Sequence, residues 1–185
     1  MIVRRPIKTG RKTSYACPTA YKVLKTTLYA GIDSIEHGCF LDDECLERMK
    51  EQNTFLVPTL CAPQCIIDKG VENGVAKYAV DKTLKVKDAH VESVKKAYEK
   101  GIQIALGTDA GTPFNYHSNT AYEMELLARL DISNMDILKM ATINFRKYVL
   151  ELKRYYGSIE VGKQADLVCL NENSIKRTVY KRKKN

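Results

Sequence analysis

The chain has 185 residues, 44% of them hydrophobic, and 30 Lys and Arg against 22 Asp and Glu, a formal net charge of +8. That balance is ordinary for a globular protein and excludes extensive disorder, and no apolar run approaches the roughly 20 residues that a membrane-spanning helix needs. The opening Met1-Ile2-Val3-Arg4-Arg5-Pro6 lacks the apolar stretch of a secretory signal. The expectation is a soluble, cytoplasmic protein that does not associate with membranes.

The six cysteines, Cys17, Cys39, Cys45, Cys61, Cys65 and Cys169, are expected as free thiols, because nothing marks the chain as secreted. Cys61-Ala-Pro-Gln-Cys65 has no matching second pair, so its spacing does not build a structural zinc site. Positive charge gathers at the ends, in Arg4, Arg5, Lys8, Arg11 and Lys12 and again from Lys176 to Lys184. Basic tails can touch nucleic acid, but no zinc-finger spacing, aromatic RNA-binding motif or basic heptad supports that use. They read as solvated termini, and no nucleic-acid partner is expected.

A βα rhythm begins near residue 14. A short apolar stretch, Tyr15–Cys17, precedes a helical pattern with Ala20, Leu24 and Leu28 on one face. Gly31 ends that helix, and Ile32–Ile35 reads as a strand. Asp42 or Asp43 then caps a helix running to about Gln52, with Leu41, Cys45 and Met49 spaced four apart. Thr54–Leu60 is a β-branched apolar strand with Pro58 near its end. Residues 61–80 show little pattern and read as a long loop, a length that in a compact domain is often a functional lid.

Leu84–Lys100 follows as a helix with Val91, Val94 and Tyr98 inward and Gly101 at its end, and Ile102–Gly107 as the fourth strand. Two helices come next, about Thr120–Leu130 and Asn134–Leu152, the second capped by Ser133 with Asp136 three residues on. The tail changes character: a turn-rich segment at Gly157–Gly162, a strand at Ala165–Leu170, and a further strand near Arg177–Lys181. The corresponding division is a basic segment 1–13, an α/β unit 14–152, and β strands with a basic tail over 153–185.

In a parallel α/β array, functional side chains collect beyond the C-terminal ends of the strands. Two positions satisfy that rule. Ile32–Ile35 runs into Glu36-His37-Gly38, and Ile102–Leu106 runs into Gly107-Thr108-Asp109-Ala110-Gly111. An imidazole and a carboxylate there suit a divalent metal, and the carboxylate can also serve as a base. The same residues can equally be a hydrogen-bonded structural histidine and an ordinary Asx turn. Spacing leaves both readings open.

The segments Ala30-Gly-Ile-Asp-Ser-Ile-Glu-His-Gly38, Phe55-Leu-Val-Pro-Thr-Leu60, Gly101-Ile-Gln-Ile-Ala-Leu-Gly-Thr-Asp-Ala-Gly-Thr-Pro-Phe114 and Tyr156-Gly-Ser-Ile-Glu-Val-Gly-Lys-Gln-Ala-Asp-Leu-Val168 resemble the amidohydrolase superfamily, in its imidazolonepropionase-like and Xaa-Pro dipeptidase-like branch. Thr142-Ile-Asn144 agrees, and the resemblance spans roughly residues 19–172. It implies a TIM-type (β/α)8 barrel with a small β-sandwich. Because a complete barrel takes about 250 residues, the expected fold is α/β, its C-terminal half, about strands five to eight, with a short β-sandwich tail.

The resemblance also implies one or two divalent metals, most often zinc, activating water against an amide or related C–N bond. By its pattern His37 is the metal ligand after the sixth strand. Asp109 is the ligand after the eighth, and also the catalytic base. His117 falls where the branch often carries a histidine near substrate, and His90 reads as structural. The family's His-x-His and its lysine have no counterpart, and Cys17 and Thr19 stand where it has fifth-strand histidines. Two expectations follow. One is the C-terminal part of a metal-dependent amidohydrolase acting on a small, dipeptide-like or cyclic-amide-like substrate, completed by an N-terminal half or by homo-oligomerisation. The other is a catalytically inactive truncated remnant serving as a structural or assembly module.

Overall fold

The structure, a computed structural model, describes residues 13–15, 21–145 and 155–169. Three short parallel strands, β1 (Thr13–Tyr15), β2 (Ser34–Glu36) and β3 (Phe55–Val57), pair in the order β1-β2-β3. The registers set Thr13 beside Ser34 and Ser34 beside Phe55, so each strand lies level with its neighbour. The fourth expected strand, Ile102–Gly107, shrinks to a single parallel bridge between Leu56 and Ile104. It still holds the fourth place in the sheet, because Leu56 N–H donates to Gln103 O and Ala105 N–H to Leu56 O, both at 2.9 Å. Its outer edge is taken up elsewhere: Asn144 Nδ2 donates to Ile104 O and Leu106 N–H donates to Met140 O.

The helices follow from the apolar spacing. In α1 (Tyr21–Tyr29), Leu24 and Leu28 lie one turn apart and are both buried, and Gly31, at φ +68°, reverses the chain toward β2. In α2 (Asp43–Gln52), Asp42 is the N-cap, its carboxylate accepting the Cys45 N–H at 2.8 Å, with Asp43 and Glu44 in the positive first turn. Cys45, Leu46 and Met49 face the sheet. Lys25 pairs with Asp42 and Glu44, and Lys100 with Asp43 and Glu47. These exposed pairs tether neighbouring helices but contribute little stability.

Residues 61–80 are not a long loop. They form α3 (Cys61–Lys69), a 3₁₀ turn at Val71–Asn73, and the first residues of α4 (Lys77–Glu99). Pro63 sits in the first turn of α3, where a missing N–H costs nothing, and Gly70 and Gly74 punctuate the break. The buried face of α4 is Thr83, His90, Ser93, Val94 and Ala97, with Val91 and Tyr98 half-buried at its margin.

After a 3₁₀ turn at His117–Asn119 comes α5 (Thr120–Ala128), then α6 (Asn134–Lys139), which widens into a π-helical turn at Met140–Asn144. Ser133 caps α6: its hydroxyl accepts the Asp136 N–H and donates to the Asp136 carboxylate.

The core lies between sheet and helices, with Ile35, Leu46, Met49, Leu56, Val94 and Leu127 fully enclosed. The expected strand at Ala165–Leu170 is absent over the described residues 165–169, and Ile159, Val161, Leu167 and Val168 are exposed. The expected strand near residues 177–181, the start of the tail at 153–154, and Cys17, Thr19 and Ala20 lie outside the described residues. Among the described residues no helix is long and apolar enough to cross a membrane.

The Asp42 cap gives a local test. Asp42→Ala should lower unfolding stability in urea by about 1 kcal/mol, and Asp42→Asn, which also caps, by much less. Equal losses in the two variants would mean that the cap contributes nothing.

Candidate active site

The C-terminal ends of β2, β3 and the 103–106 segment form one face. β2 delivers Glu36 and then His37, whose N–H donates to Val57 O at 2.9 Å. The chain turns sharply there, with His37 at φ +66° and Gly38 at +69°. A Cβ on Gly38 would sit 2.5 Å from Leu56 Cδ1, and one on Gly107 2.5 Å from Val57 Cγ1. Glycine at both positions therefore lets the neighbouring strand ends approach β3 closely.

His37 follows β2, and Asp109 follows the 103–106 segment that bridges to β3. The His37 imidazole is held below its usual range by burial, and the Asp109 carboxylate, close enough to act electrostatically, pulls it partly back up. His37 Nδ1 lies 2.5 Å from Thr59 Oγ1. Asp109 is exposed and left-handed at φ +52°.

Asn115 fastens the Asp109 loop. Its buried amide Nδ2 donates to Thr108 O at 2.6 Å and to Asp109 O at 3.0 Å, and its N–H donates to Thr112 O. The Asn115 Oδ1 in turn accepts from the Cys61 thiol and from Asn119 Nδ2. Cys61 and Cys65 are free thiols with their sulfurs 3.7 Å apart.

Behind this loop Glu123 is fully buried on α5 and accepts the N–H groups of Leu60 at 2.9 Å and Cys61 at 2.6 Å. It thus caps α3, which has no side-chain cap of its own. Burial pushes its carboxyl up to about 8, although the two N–H bonds pull it the other way. His90, expected as structural, is buried and donates from Nε2 to Pro58 O at 2.9 Å, and burial drives its imidazole down to about 4.

His117 stands apart. It is exposed in the 3₁₀ turn before α5, and among the described residues no hydrogen bond or ion pair joins it to His37 or Asp109. Thr59, Asn115, Asn119 and Glu123 escaped the sequence reading. For the last two a signal existed: Asn119 and Glu123 lie four apart in line with buried Leu127, polar residues on an apolar helix face.

One imidazole and one carboxylate have the right chemistry for a zinc-type ion, but a catalytic zinc takes three protein ligands. Among the described residues no group of three or more His, Cys, Asp or Glu side chains could hold a metal ion. The donors described here do not make a metal site by themselves.

Glu123 carries the prediction. Removing its carboxylate in Glu123→Ala leaves two buried N–H groups unpaired and should cost about 2–4 kcal/mol. A carboxyl raised from 4.5 to about 8 takes up a proton on folding, so its contribution is complete below pH 4.5 and is lost as pH rises through 8. The urea midpoint of the native chain should fall across that window, and that fall should flatten in Glu123→Gln. Parallel pH profiles would show that Glu123 is charged in the fold.

Residues 14–185 match the amidohydrolase family. Ochratoxinase of Aspergillus niger is 29% identical over 155 residues, which are 82% of this chain and 31% of that protein. A crystal structure of a Xaa-Pro dipeptidase with methionine bound in its active site superposes with a TM-score of 0.78 at 33% identity, over 88% of this chain and 39% of that one. A putative prolidase from Bifidobacterium longum gives a TM-score of 0.81 at 30% identity, over 90% and 42%. The chain thus spans less than half the length of the relatives it matches. With the family matched over nearly all its residues, this chain belongs to the amidohydrolase family.

Proposed function

We propose that this chain forms the C-terminal half, about strands five to eight, of a TIM-type barrel whose whole protein hydrolyses an amide or other C–N bond in a small, dipeptide-like substrate. What carries this reading is the family match over residues 14–185, together with the placing of His37 just beyond β2 and of Asp109 just beyond the 103–106 segment that bridges to β3. Dipeptidase and prolidase are the names of solved structures that share this fold at 30% identity or above, and they favour an amide substrate.

In this reading His37 and Asp109 are two ligands of a divalent-metal centre, zinc by donor chemistry, whose other ligands come from outside the described residues. A complementing N-terminal half supplies them, or a second copy of the chain does. Asp109 is the catalytic group: its exposed carboxylate can take a proton from the attacking water and hand it on to the leaving nitrogen. Burial favours the neutral form of the His37 imidazole, which offers a ring nitrogen rather than a positive charge. In this reading His117, exposed in the turn before α5, contacts substrate. Residues 14–152 form the barrel portion, preceded by the basic segment 1–13 and followed by β-sandwich strands and a basic tail over 153–185. The working compartment is the cytoplasm.

The two-donor set favours a second reading, a module without catalysis that serves assembly. Bound metal and hydrolysis decide between them. The barrel completed with its N-terminal half should hold a stoichiometric divalent ion by elemental analysis, and Asp109→Asn should reduce kcat by about 10²–10⁴-fold with little change in folding. A completed barrel with neither metal nor hydrolysis would establish the second reading.

A further inference from the structure

We propose that Thr59 is a positioning residue: its hydroxyl holds the His37 imidazole in the Nδ1–H form, so that Nε2 carries the lone pair that His37 brings to the site. The site role of His37 is taken from the function proposed above. The ring form itself is read from the hydrogen bonds alone.

Thr59 is buried, and its hydroxyl lies between two partners, Pro58 O at 2.6 Å and His37 Nδ1 at 2.5 Å. A hydroxyl has one proton to give and lone pairs with which to accept. A carbonyl oxygen can only accept, so the proton goes to Pro58 O and the oxygen must accept from the ring. The reverse assignment would point the proton at Nδ1 and leave two oxygens 2.6 Å apart with no proton between them. Pro58 O is itself fixed, since it also accepts from His90 Nε2. On the other side of Thr59, the Leu60 N–H is fixed by Glu123. The hydroxyl therefore has little freedom to exchange its partners.

The backbone supplies a second observation. Thr59 has φ +54°, a left-handed conformation that a β-branched residue rarely adopts and that glycine or asparagine would fill with less strain. Such strain persists where the surroundings enforce it, typically at working sites. Here it turns the hydroxyl back toward Pro58 O while keeping it against His37. A neutral imidazole must hold its proton on one of two nitrogens, and the partner of one decides the role of the other.

The test is a long-range ¹H–¹⁵N correlation spectrum of the ¹⁵N-labelled 185-residue chain at mildly alkaline pH. Native His37 should show a protonated Nδ1 and an unprotonated Nε2. Thr59→Ser should keep this pattern. Thr59→Val, which matches the shape but lacks the hydroxyl, should shift His37 toward the Nε2–H form that imidazole prefers in water. The His90 ring, bonded to Pro58 O in all three proteins, reports that the site is folded. An Nε2–H signal in the native chain would overturn the proposal, as would an unchanged His37 in Thr59→Val with the His90 signal intact. Should Thr59→Val not fold, the native and Thr59→Ser spectra still decide, since both must show the Nδ1–H form. The measurement uses the metal-free chain, so its failure is separate from a failure to find metal or hydrolysis in the completed barrel.

Discussion

The site depends most on the grip of the Glu123 carboxylate on the Leu60 and Cys61 N–H groups. The helix α3 begins three residues after β3 with the apolar Leu60 at its N-cap, which offers no capping side chain, and its first donors would otherwise be buried without partners. Glu123 satisfies them from α5, more than sixty residues away in sequence. One interaction thereby fixes the strand end that carries Thr59 and draws in the helix that follows the Asp109 loop. Asn119, one turn before Glu123 on the same buried stripe, passes the restraint to Asn115, and Asn115 holds the carbonyls of Thr108 and Asp109. Buried polar groups this closely connected specify one arrangement, because any slip leaves a donor or acceptor unmet in a region that water does not reach.

The strain at the site follows from that rigidity. His37, Thr59 and Asp109, one at each of three neighbouring strand ends, all have left-handed backbones. An isolated turn would relax, but here each is flanked by groups that cannot move. Gly38 lies against Leu56, Gly107 lies against Val57, and the carbonyl before Thr59 is held by His90.

Much of the scaffold was legible because its signals are local. Leu24 and Leu28 at a spacing of four, Asp42 before an acidic first turn, and Ser133 with Asp136 three residues on each gave the element that the structure contains. The positions of His37 and Asp109 beyond strand ends were legible for a related reason, since both stand directly after apolar strand patterns and beside glycines. The stretch 61–80 was misread because the cap that permits α3 is Glu123, which no window around residue 61 includes. The strand at Ile102–Gly107 was read correctly in place but not in extent. Its outer hydrogen bonds go to Asn144 and Met140 in a π-helical turn, and the pattern of apolar residues does not reveal which partner an edge will find. Thr59 was invisible as anything but a β-branched strand residue, since its backbone sign is set by its neighbours.

The number of donors at the site and the number of strands in the sheet express one constraint. In a parallel array each strand contributes at its C-terminal end, so a metal or substrate receives about as many groups as there are strands around it. Here β2 ends on His37 and the 103–106 segment on Asp109, while β3 ends on Thr59, which serves His37. An imidazole, a carboxylate and a hydroxyl are what these three strand ends present. The same shortage shows at the tail, where Ile159, Val161, Leu167 and Val168 are exposed in a segment with no strand to pair with among the described residues. Apolar side chains that close together at a surface favour contact with another face.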